Sequence, residues 1–288
     1  MWRQDIAPYY RNYGIQDMEG SMTALPDYDN PPVNEVVFGI QFKKLENLKA
    51  PHTGILWEKL GRNEYPECKE MPPIGHMIES FDGVAPQSPS ITIEEFEHPP
   101  LPRLFFINAI KNHLIQVQQD RLHQNWRKLK AEDEYPRYVK LYPKFIESWQ
   151  LFNSFADELN LGPIQPNQYE LTYVNHIPRG EGWINLSEIH NVFRDLQSEP
   201  DNRFLPEPES ISWRKTYRLP KDSGRLHVSL RLAISRESKD RIMILDLTAR
   251  GFTANKMDNW FDMAHEWIVK GFTDLTSQSI QESVWKRK

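Results

Sequence analysis

The chain has 288 residues, enough to bury a sizeable core, and its 9 Trp, 14 Phe and 11 Tyr supply large side chains for one. A charged fraction of 26% argues against wholesale disorder, and a net charge of −5 argues against broad, sequence-independent binding of nucleic acid. The single cysteine, Cys68, excludes an internal disulfide framework and a thiolate-rich metal site. No apolar run approaches the roughly 20 residues that span a bilayer, and the N-terminus lacks a signal-peptide pattern, so we expect a cytoplasmic protein without a membrane partner.

Residues 1–33 have no hydrophobic period and end in the turn-forming run DYDNPP, which predicts a flexible tail. The alternative is a segment that docks on the body or on a partner and folds as it does so. Its aromatic side chains favour this alternative, because a purely solvating segment has few of them; they are Trp2, Tyr9, Tyr10, Tyr13 and Tyr28.

Residues 34–163 form the first predicted α+β unit. NEVVFGIQF alternates apolar and polar residues, which predicts a half-buried strand. PHTGILWEKLGR predicts a helix that starts at Pro51 and is capped by Gly61. The proline-rich residues 66–102 predict a long, partly extended connection.

The same unit continues with strands and a long helix. RLFFINA and HLIQVQQDRLHQNWR predict strands, and the second bends into a third near Asp120. The next segment, PKFIESWQLFNSFADELNLG, predicts the clearest helix of the chain. Pro143 opens it and Gly162 lies just past its end.

Residues 164–288 repeat this order of elements. QYELTYVNHI predicts a strand, and INLSEIHNVFRDL predicts a helix in which Asn185 and Glu188 are spaced as a capping box. After a proline-rich connection, ISWRKTYRL, RLHVSLRLAI and RIMILDLTA predict three strands. An amphipathic helix over residues 255–275 follows.

Two units of this kind, joined edge to edge, predict an α+β fold. We expect one continuous, mostly antiparallel sheet built from two similar strand–helix–strands–helix halves, with the helices on one face, as in saddle or helix-grip architectures. The halves share a pattern and no sequence identity. The run of hairpins after residue 210 argues against a parallel, doubly wound sheet.

Alternation along the strands predicts that the other sheet face carries polar and ionisable side chains. A face that only contacts water would show the same alternation, because antiparallel sheets commonly keep one face solvated. We select this face as the contact surface for a protein partner or a small polar ligand. The residues selected are Glu170, Thr172, His176, Arg225, His227, Arg231, Asp246 and Arg250.

The common catalytic and phosphate-binding motifs are absent from the sequence, including the P-loop, G-x-G-x-x-G and G-x-S-x-G. AHEWI begins like a metalloprotease helix, but Val269 stands where the second histidine would be. His265 lies on the apolar stripe of its helix, which predicts a packed core histidine. We therefore assign no catalytic residue, no cofactor and no metal ligand.

A basic cluster with interleaved aromatics offers a different kind of contact. Such a cluster can grip a nucleic-acid backbone and stack bases. The more common explanation of such a cluster is a surface patch that caps the end of a strand. The residues of this possible nucleic-acid contact are Trp126, Arg127, Lys128 and Arg137.

Several runs, taken in order, resemble an uncharacterised bacterial protein family of sporadic distribution. The match covers residues 33–285, and its runs are NEVVFGIQF, TGILWEKL, QNWRK, YPRY, NQYELTYVNHIP, RLHVSL, LDLTARG and AHEWIVKGFTDLT. The resemblance implies no activity for any residue. A patchy distribution is typical of accessory genes, including phage-defence and toxin–antitoxin partners, which is an association and not a mechanism.

We therefore expect a non-catalytic binding protein, an accessory or regulatory partner of another protein, that uses the polar sheet face. The alternatives are a nucleic-acid-binding saddle, and a protein that binds or hydrolyses a phosphate or nucleotide ligand. A small-molecule carrier of the helix-grip kind is a further alternative, and its cavity should be apolar.

Overall fold

A computed structural model describes residues 14–16, 22–75, 78–81, 101–130, 132–197, 204–235, 238–252 and 256–288. The strands, in chain order, are β1 (Gly14–Gln16), β2 (Met22–Ala24), β3 (Val33–Phe42), β4 (Glu67–Met71), β5 (Arg103–Ile107), β6 (His113–Gln118), β7 (Arg121–Arg127), β8 (Pro166–Pro178), β9 (Ser212–Arg218), β10 (Arg225–Ile234) and β11 (Arg241–Gly251). The α-helices are α1 (Ala50–Leu60), α2 (Tyr138–Glu158), α3 (Met257–Leu275) and α4 (Gln278–Ser283).

One antiparallel sheet organises the fold. It contains nine strands in the order β4-β5-β6-β7-β3-β8-β11-β10-β9, while β1 and β2 pair with each other separately. The central pair is β3 and β8, the first strands of the two predicted units. The predicted α+β class and the antiparallel sheet are confirmed.

The long helices α2 and α3 lie on the same face of the sheet. The ring centroid of Phe38, on β3, is 5.2 Å from that of Phe145 on α2 and 5.9 Å from that of Phe261 on α3. Both helices carry an apolar stripe that the sheet buries: Phe145, Phe152, Trp260, Phe261, Ala264 and Ile268 are at most 1% exposed. Burial of these stripes is the main force that holds helices to the sheet.

Helix α2 begins five residues earlier than the sequence predicts, so Pro143 lies inside it instead of opening it. A proline inside a helix removes one backbone hydrogen bond. The extra first turn is held by side chains, because the Tyr138 hydroxyl donates to Asp262 at 3.1 Å and the Tyr142 hydroxyl donates to Asp258 at 2.7 Å. These contacts with α3 stabilise a turn that the local pattern could not reveal.

Two further segments differ from the prediction. INLSEIHNVFRDL forms only a short 3-10 helix, Leu186–Asn191, although the predicted capping box between Asn185 and Glu188 is present. The proline-rich connection contains an edge strand, β4, paired with β5. No helix in the described part of the chain is long and apolar enough to cross a membrane.

The end of the N-terminal segment docks on the body of the protein. Tyr28 is 5% exposed, and its hydroxyl lies 2.7 Å from Thr273 Oγ1 on α3. The backbone N–H groups of Asp29 and Asn30 donate to the carbonyls of Lys286 and Trp285, both at 3.1 Å. Around Tyr28 the segment therefore packs on the body of the protein, which is the second of the two predictions for residues 1–33. The other tail aromatics, Trp2, Tyr9, Tyr10 and Tyr13, lie outside the described residues.

Candidate functional site

The face of the sheet opposite α2 and α3 is polar, as the alternation predicts. Strand register brings the selected residues of the second half together on three neighbouring strands: Glu170 pairs with Arg250, Thr172 with Thr248, and Arg250 with Arg225. His227 pairs with Thr248, and Arg231 and His176 both pair with Ile244. This surface is called the polar face below. It comprises the side chains of β3, β6, β7, β8, β9, β10 and β11 that point away from α2 and α3.

A buried ion pair joins β8 and β11 on the polar face. Arg250 Nε donates to Glu170 Oε2, and both side chains are at least three-quarters buried. Burial alone would raise the pKa of Glu170, but the charge and the hydrogen bond of Arg250 lower it below its ordinary value. Removing either partner would leave the other charge buried without compensation, which is costly.

His123 lies over Gly39 next to this pair. A Cβ atom on Gly39 would stand 2.6 Å from His123 Cδ2, so the close packing of the ring requires glycine at this point of β3. Burial lowers the pKa of His123 to about 4, which keeps the ring neutral at pH 7. The cluster is therefore tightly packed and fixed in its charge state.

A second polar row crosses the first half of the sheet. Arg103 Nη1 donates to Gln116 Oε1 at 3.1 Å, and Gln116 Nε2 donates to Asn125 Oδ1 at 2.7 Å. Asn125 Nδ2 then donates to Glu35 Oε1 at 2.6 Å. Burial raises the pKa of Glu35, and the Asn125 hydrogen bond offsets part of that shift. Every link joins a different strand, so the row stabilises the pairing of β5, β6, β7 and β3.

A segment of the chain itself lies across one end of the polar face. It consists of residues 74–75 and 78–81 and is called the strap below. Gln118 accepts from Ile74 N at 2.8 Å and donates to Ile74 O at 3.0 Å, and Arg121 Nη2 donates to Gly75 O at 3.1 Å. The backbone N–H of Glu79 donates to Gln168 Oε1 at 2.8 Å. Side chains of the sheet thus hold the backbone of the strap at several points.

The carboxylate of Glu79 anchors the strap. Arg225 Nη1 donates to Glu79 Oε2 at 2.7 Å, and His227 Nε2 contacts Glu79 Oε1. The Glu79 side chain is only 8% exposed. Burial would raise the pKa of Glu79, but the hydrogen bonds and charges of His227 and Arg225 lower it instead. The carboxylate is therefore ionised and doubly bound at neutral pH.

The ring of Phe81 packs between two guanidinium groups and a second aromatic ring, in a cluster called the clamp below. Arg225 Cζ lies 4.4 Å and Arg218 Cζ 4.8 Å from its centroid, and the centroid of Phe252 is 5.5 Å away. A cation beside an aromatic ring is attracted by about 0.5–1 kcal/mol at exposed sites and by more where it is desolvated. Arg225 thus contacts both the acidic and the aromatic residue of the strap.

The part of the polar face beyond the strap is more open. Arg231, with half of its side chain exposed, lies 3.8 Å from Asp246. Thr172 and Thr248 share a hydrogen bond of 2.9 Å. Burial raises the pKa of Asp246, and burial lowers the pKa of His176. Arg231 and Asp246 therefore compensate each other in part and keep part of their side chains open to solvent.

The basic cluster of the first half has a different arrangement. Trp126 is 4% exposed and packs against Tyr135 at 5.5 Å, so its ring is not presented to a nucleic-acid base. Arg127 Nε donates to Lys111 O at 2.8 Å, and Arg137 Nη2 donates to Tyr28 O at 2.6 Å. Lys128 is half-buried at the end of β7. The role of the cluster in nucleic-acid contact stays a prediction.

Sequence reasoning did not find four residues that the structure places at the centre of this site: Glu79, Phe81, Arg121 and His123. Arg121 and His123 could have been found, because they alternate with Leu122 on a predicted strand. Glu79 and Phe81 lie in the proline-rich connection, which has no period that would place them.

Among the described residues no group of three His, Cys, Asp or Glu side chains could hold a metal ion. The ionisable groups near the strap are paired with one another, because Glu79 contacts both Arg225 and His227. No family model, no curated protein and no solved structure matches this chain.

Proposed function

We propose that the chain is a non-catalytic binding protein, an accessory or regulatory partner, whose polar face takes an extended acidic–aromatic segment of another protein. The observation that supports this proposal is the binding of the Glu79 carboxylate by Arg225 and His227. The ring of Phe81 packs beside it in the clamp, against the guanidinium group of Arg225. A face that holds its own chain in this way has the groups to hold a partner segment of the same chemistry.

The contacts to the strap backbone favour a polypeptide over a small polar ligand. Gln118 makes two hydrogen bonds to the backbone of Ile74, and Gln168 accepts one from Glu79 N–H. In peptide recognition, main-chain hydrogen bonds supply affinity and side-chain pockets supply specificity. The strap shows both kinds of contact: backbone hydrogen bonds at Ile74 and Glu79, and side-chain contacts at Glu79 and Phe81.

The pattern Ile-Glu-X-Phe occurs twice in the sequence. Residues 78–81 read Ile-Glu-Ser-Phe, and residues 93–96 read Ile-Glu-Glu-Phe. The second copy lies outside the described residues. A peptide with the sequence of this second copy can test whether the site recognises the Ile-Glu-X-Phe pattern in general or only the strap.

We further propose that the sheet consists of two similar units joined along β3 and β8 into a saddle. In each half the last strand pairs with the first: β7 pairs with β3, and β11 pairs with β8. A long helix follows the last strand in both halves, α2 after β7 and α3 after β11. Such a saddle would present the polar sides of both units on one continuous face.

An exchange experiment tests the binding proposal. The full chain carrying E79A and F81A, the strap variant, is titrated into a fluorescently labelled peptide that copies residues 72–83, and anisotropy is recorded. We expect the strap variant to bind this peptide and the wild type to bind it at least about tenfold more weakly, because a tethered segment competes at high effective concentration. A peptide that copies residues 91–98 should also bind the strap variant.

Two controls make the result specific. A peptide with the glutamate changed to Gln and the phenylalanine to Ala should not bind, and addition of R225A to the strap variant should abolish binding of the original peptide. Equal binding of both peptides, or no difference between wild type and strap variant, would contradict the proposal. Retention of a mixed-sequence oligonucleotide in a salt-titrated gel shift, without peptide binding, would favour the nucleic-acid-binding saddle.

A further inference from the structure

A cavity of about 340 Å³ lies on the other side of the sheet from the polar face. It is formed by α3, by one end of β8 and β11, and by the docked segment that precedes β3. Its walls are largely apolar, and they include Leu25, Val33, Leu247, Ile268 and Phe272. Val139, on the first turn of α2, lines the cavity and is 52% exposed, so the cavity opens to solvent at this point.

Two tyrosine hydroxyls meet at the cavity wall. Tyr135 Oη and Tyr173 Oη are 2.8 Å apart, and both residues line the cavity. Each hydroxyl carries one proton, so when one donates to the other, the second proton stays available for another acceptor. The pair therefore offers a hydrogen-bond donor to an occupant.

His265 adds a neutral imidazole beside this pair. Its ring stacks on Tyr138 with centroids 4.1 Å apart and lies 6.0 Å from the ring of Tyr173. Among the described residues no hydrogen bond reaches either ring nitrogen of His265. An imidazole that lines a cavity with both nitrogens unpaired has one donor and one acceptor to offer.

The cavity does not favour a charged occupant. Burial lowers the pKa of His265 to about 3 and raises the pKa of Tyr173 well above its ordinary value, so both are neutral at pH 7. Arg137 also lines the cavity, but it donates to Tyr28 O at 2.6 Å and lies 3.4 Å from Asp27. A buried ionised ligand would lack a counter-charge, which is costly.

We propose that this cavity binds a small, neutral aromatic molecule that carries a hydroxyl group, with the ring against the apolar wall and the hydroxyl between His265 and the Tyr135–Tyr173 pair. A hydroxyl both donates and accepts through one oxygen, so it can satisfy the imidazole and the free tyrosine proton together, whereas a carbonyl can only accept. The volume lies at the lower end of the range of about 300–1,000 Å³ for ligand pockets, which limits the occupant to one or two rings. The site is separate from the polar face and does not depend on the proposed function.

A matched series of probes tests the ligand class. The full chain is titrated by calorimetry at pH 7.5 with 2-naphthol, naphthalene and 2-naphthoate, which share one ring system. We expect 2-naphthol to bind about three- to tenfold more tightly than naphthalene, which is the value of one net hydrogen bond, and 2-naphthoate to bind most weakly. Tighter binding of 2-naphthoate, or no binding of either neutral probe, would overturn the proposal.

Substitutions of residues that line the cavity test whether the probes bind there. H265L should keep the affinity for naphthalene and lose the preference for 2-naphthol, whereas H265Q should keep part of that preference. V139W should close the mouth and weaken both neutral probes at least tenfold, while V139A should not; because Val139 is half exposed, both variants should fold. A preference for 2-naphthol that survives H265L, or affinities unchanged by V139W, would place the binding elsewhere and overturn the proposal.

Discussion

The carboxylate of Glu79 and the guanidinium of Arg225 are 2.7 Å apart although 146 residues separate them in the chain. This contact closes the strap over the polar face, and it joins the first half of the chain to a strand near the far edge of the sheet.

Glu79→Gln should lower the free energy of unfolding by about 1–3 kcal/mol, because the amide cannot replace a buried carboxylate between Arg225 and His227. Urea denaturation at pH 7 measures the change. The matched control is Glu46→Gln, which removes an exposed contact with Lys44 at 3.2 Å and should change stability by less than about 0.5 kcal/mol. Equal losses in the two variants would show that the Glu79 carboxylate contributes no more than an exposed ion pair.

Gly39→Ala should destabilise the protein by about 1–3 kcal/mol, since the new Cβ would stand 2.6 Å from His123 Cδ2 in a packed region. Gly54→Ala is the natural comparison, because nothing lies within 4 Å of a Cβ at that position inside α1. That change should stabilise the protein by about 0.5–1 kcal/mol through the helix propensity of alanine. Thermal unfolding of both variants measures the contrast. A harmless Gly39→Ala would mean that the His123 ring can move aside.

The stability of the protein should fall as the pH drops from about 6.5 to about 4. His265 has a pKa of about 3 and His123 of about 4 in the folded chain, against about 6.5 in an unfolded one. The unfolded chain therefore binds more protons in this window, and each histidine lowers the stability by about 1.4 kcal/mol per pH unit. His265→Phe should make the slope shallower by one such contribution, as determined by urea denaturation at several pH values. An unchanged slope would mean that the ring takes up its proton without unfolding.

Tyr28 and Thr273 should be energetically coupled. The Tyr28 hydroxyl lies 2.7 Å from Thr273 Oγ1 in a buried position, and this contact fixes the docked segment to α3. A double-mutant cycle with Tyr28→Phe and Thr273→Val should give a coupling energy of about 0.5–1.5 kcal/mol. Strict additivity would show that the hydroxyl contact adds nothing, and that the Tyr28 ring and the backbone hydrogen bonds of Asp29 and Asn30 dock the segment.

The alternation of apolar and polar residues was enough to predict most strands and the face on which each side chain lies. Leu226, Val228 and Leu230 face the helices, and Arg225, His227 and Ser229 face the other way, because a strand has a period of two. The early start of α2 could not be predicted in this way. It depends on Asp258 and Asp262, which are more than a hundred residues away.

Alternation along the strands also predicted part of the candidate site. Glu170, Arg225 and His227 follow from periodicity on their own strands. Glu79 and Phe81, which both contact Arg225, come from a segment without a period. The position of Glu79 depends on Gln168, Arg225 and His227 together. Only the assembled sheet brings those three side chains to one place.

The central position of β3 has a consequence for synthesis of the chain. β3 is made before every other strand of the large sheet, yet one of its two partners is β8, which begins at Pro166. At about 5–20 residues per second, the edge of β3 that pairs with β8 stays unpaired for roughly ten seconds after it leaves the ribosome. An unpaired apolar edge is a template for wrong pairing with other chains. Nascent chains paused before residue 166 should therefore be prone to aggregation and dependent on chaperones, and release of β8 should end that dependence.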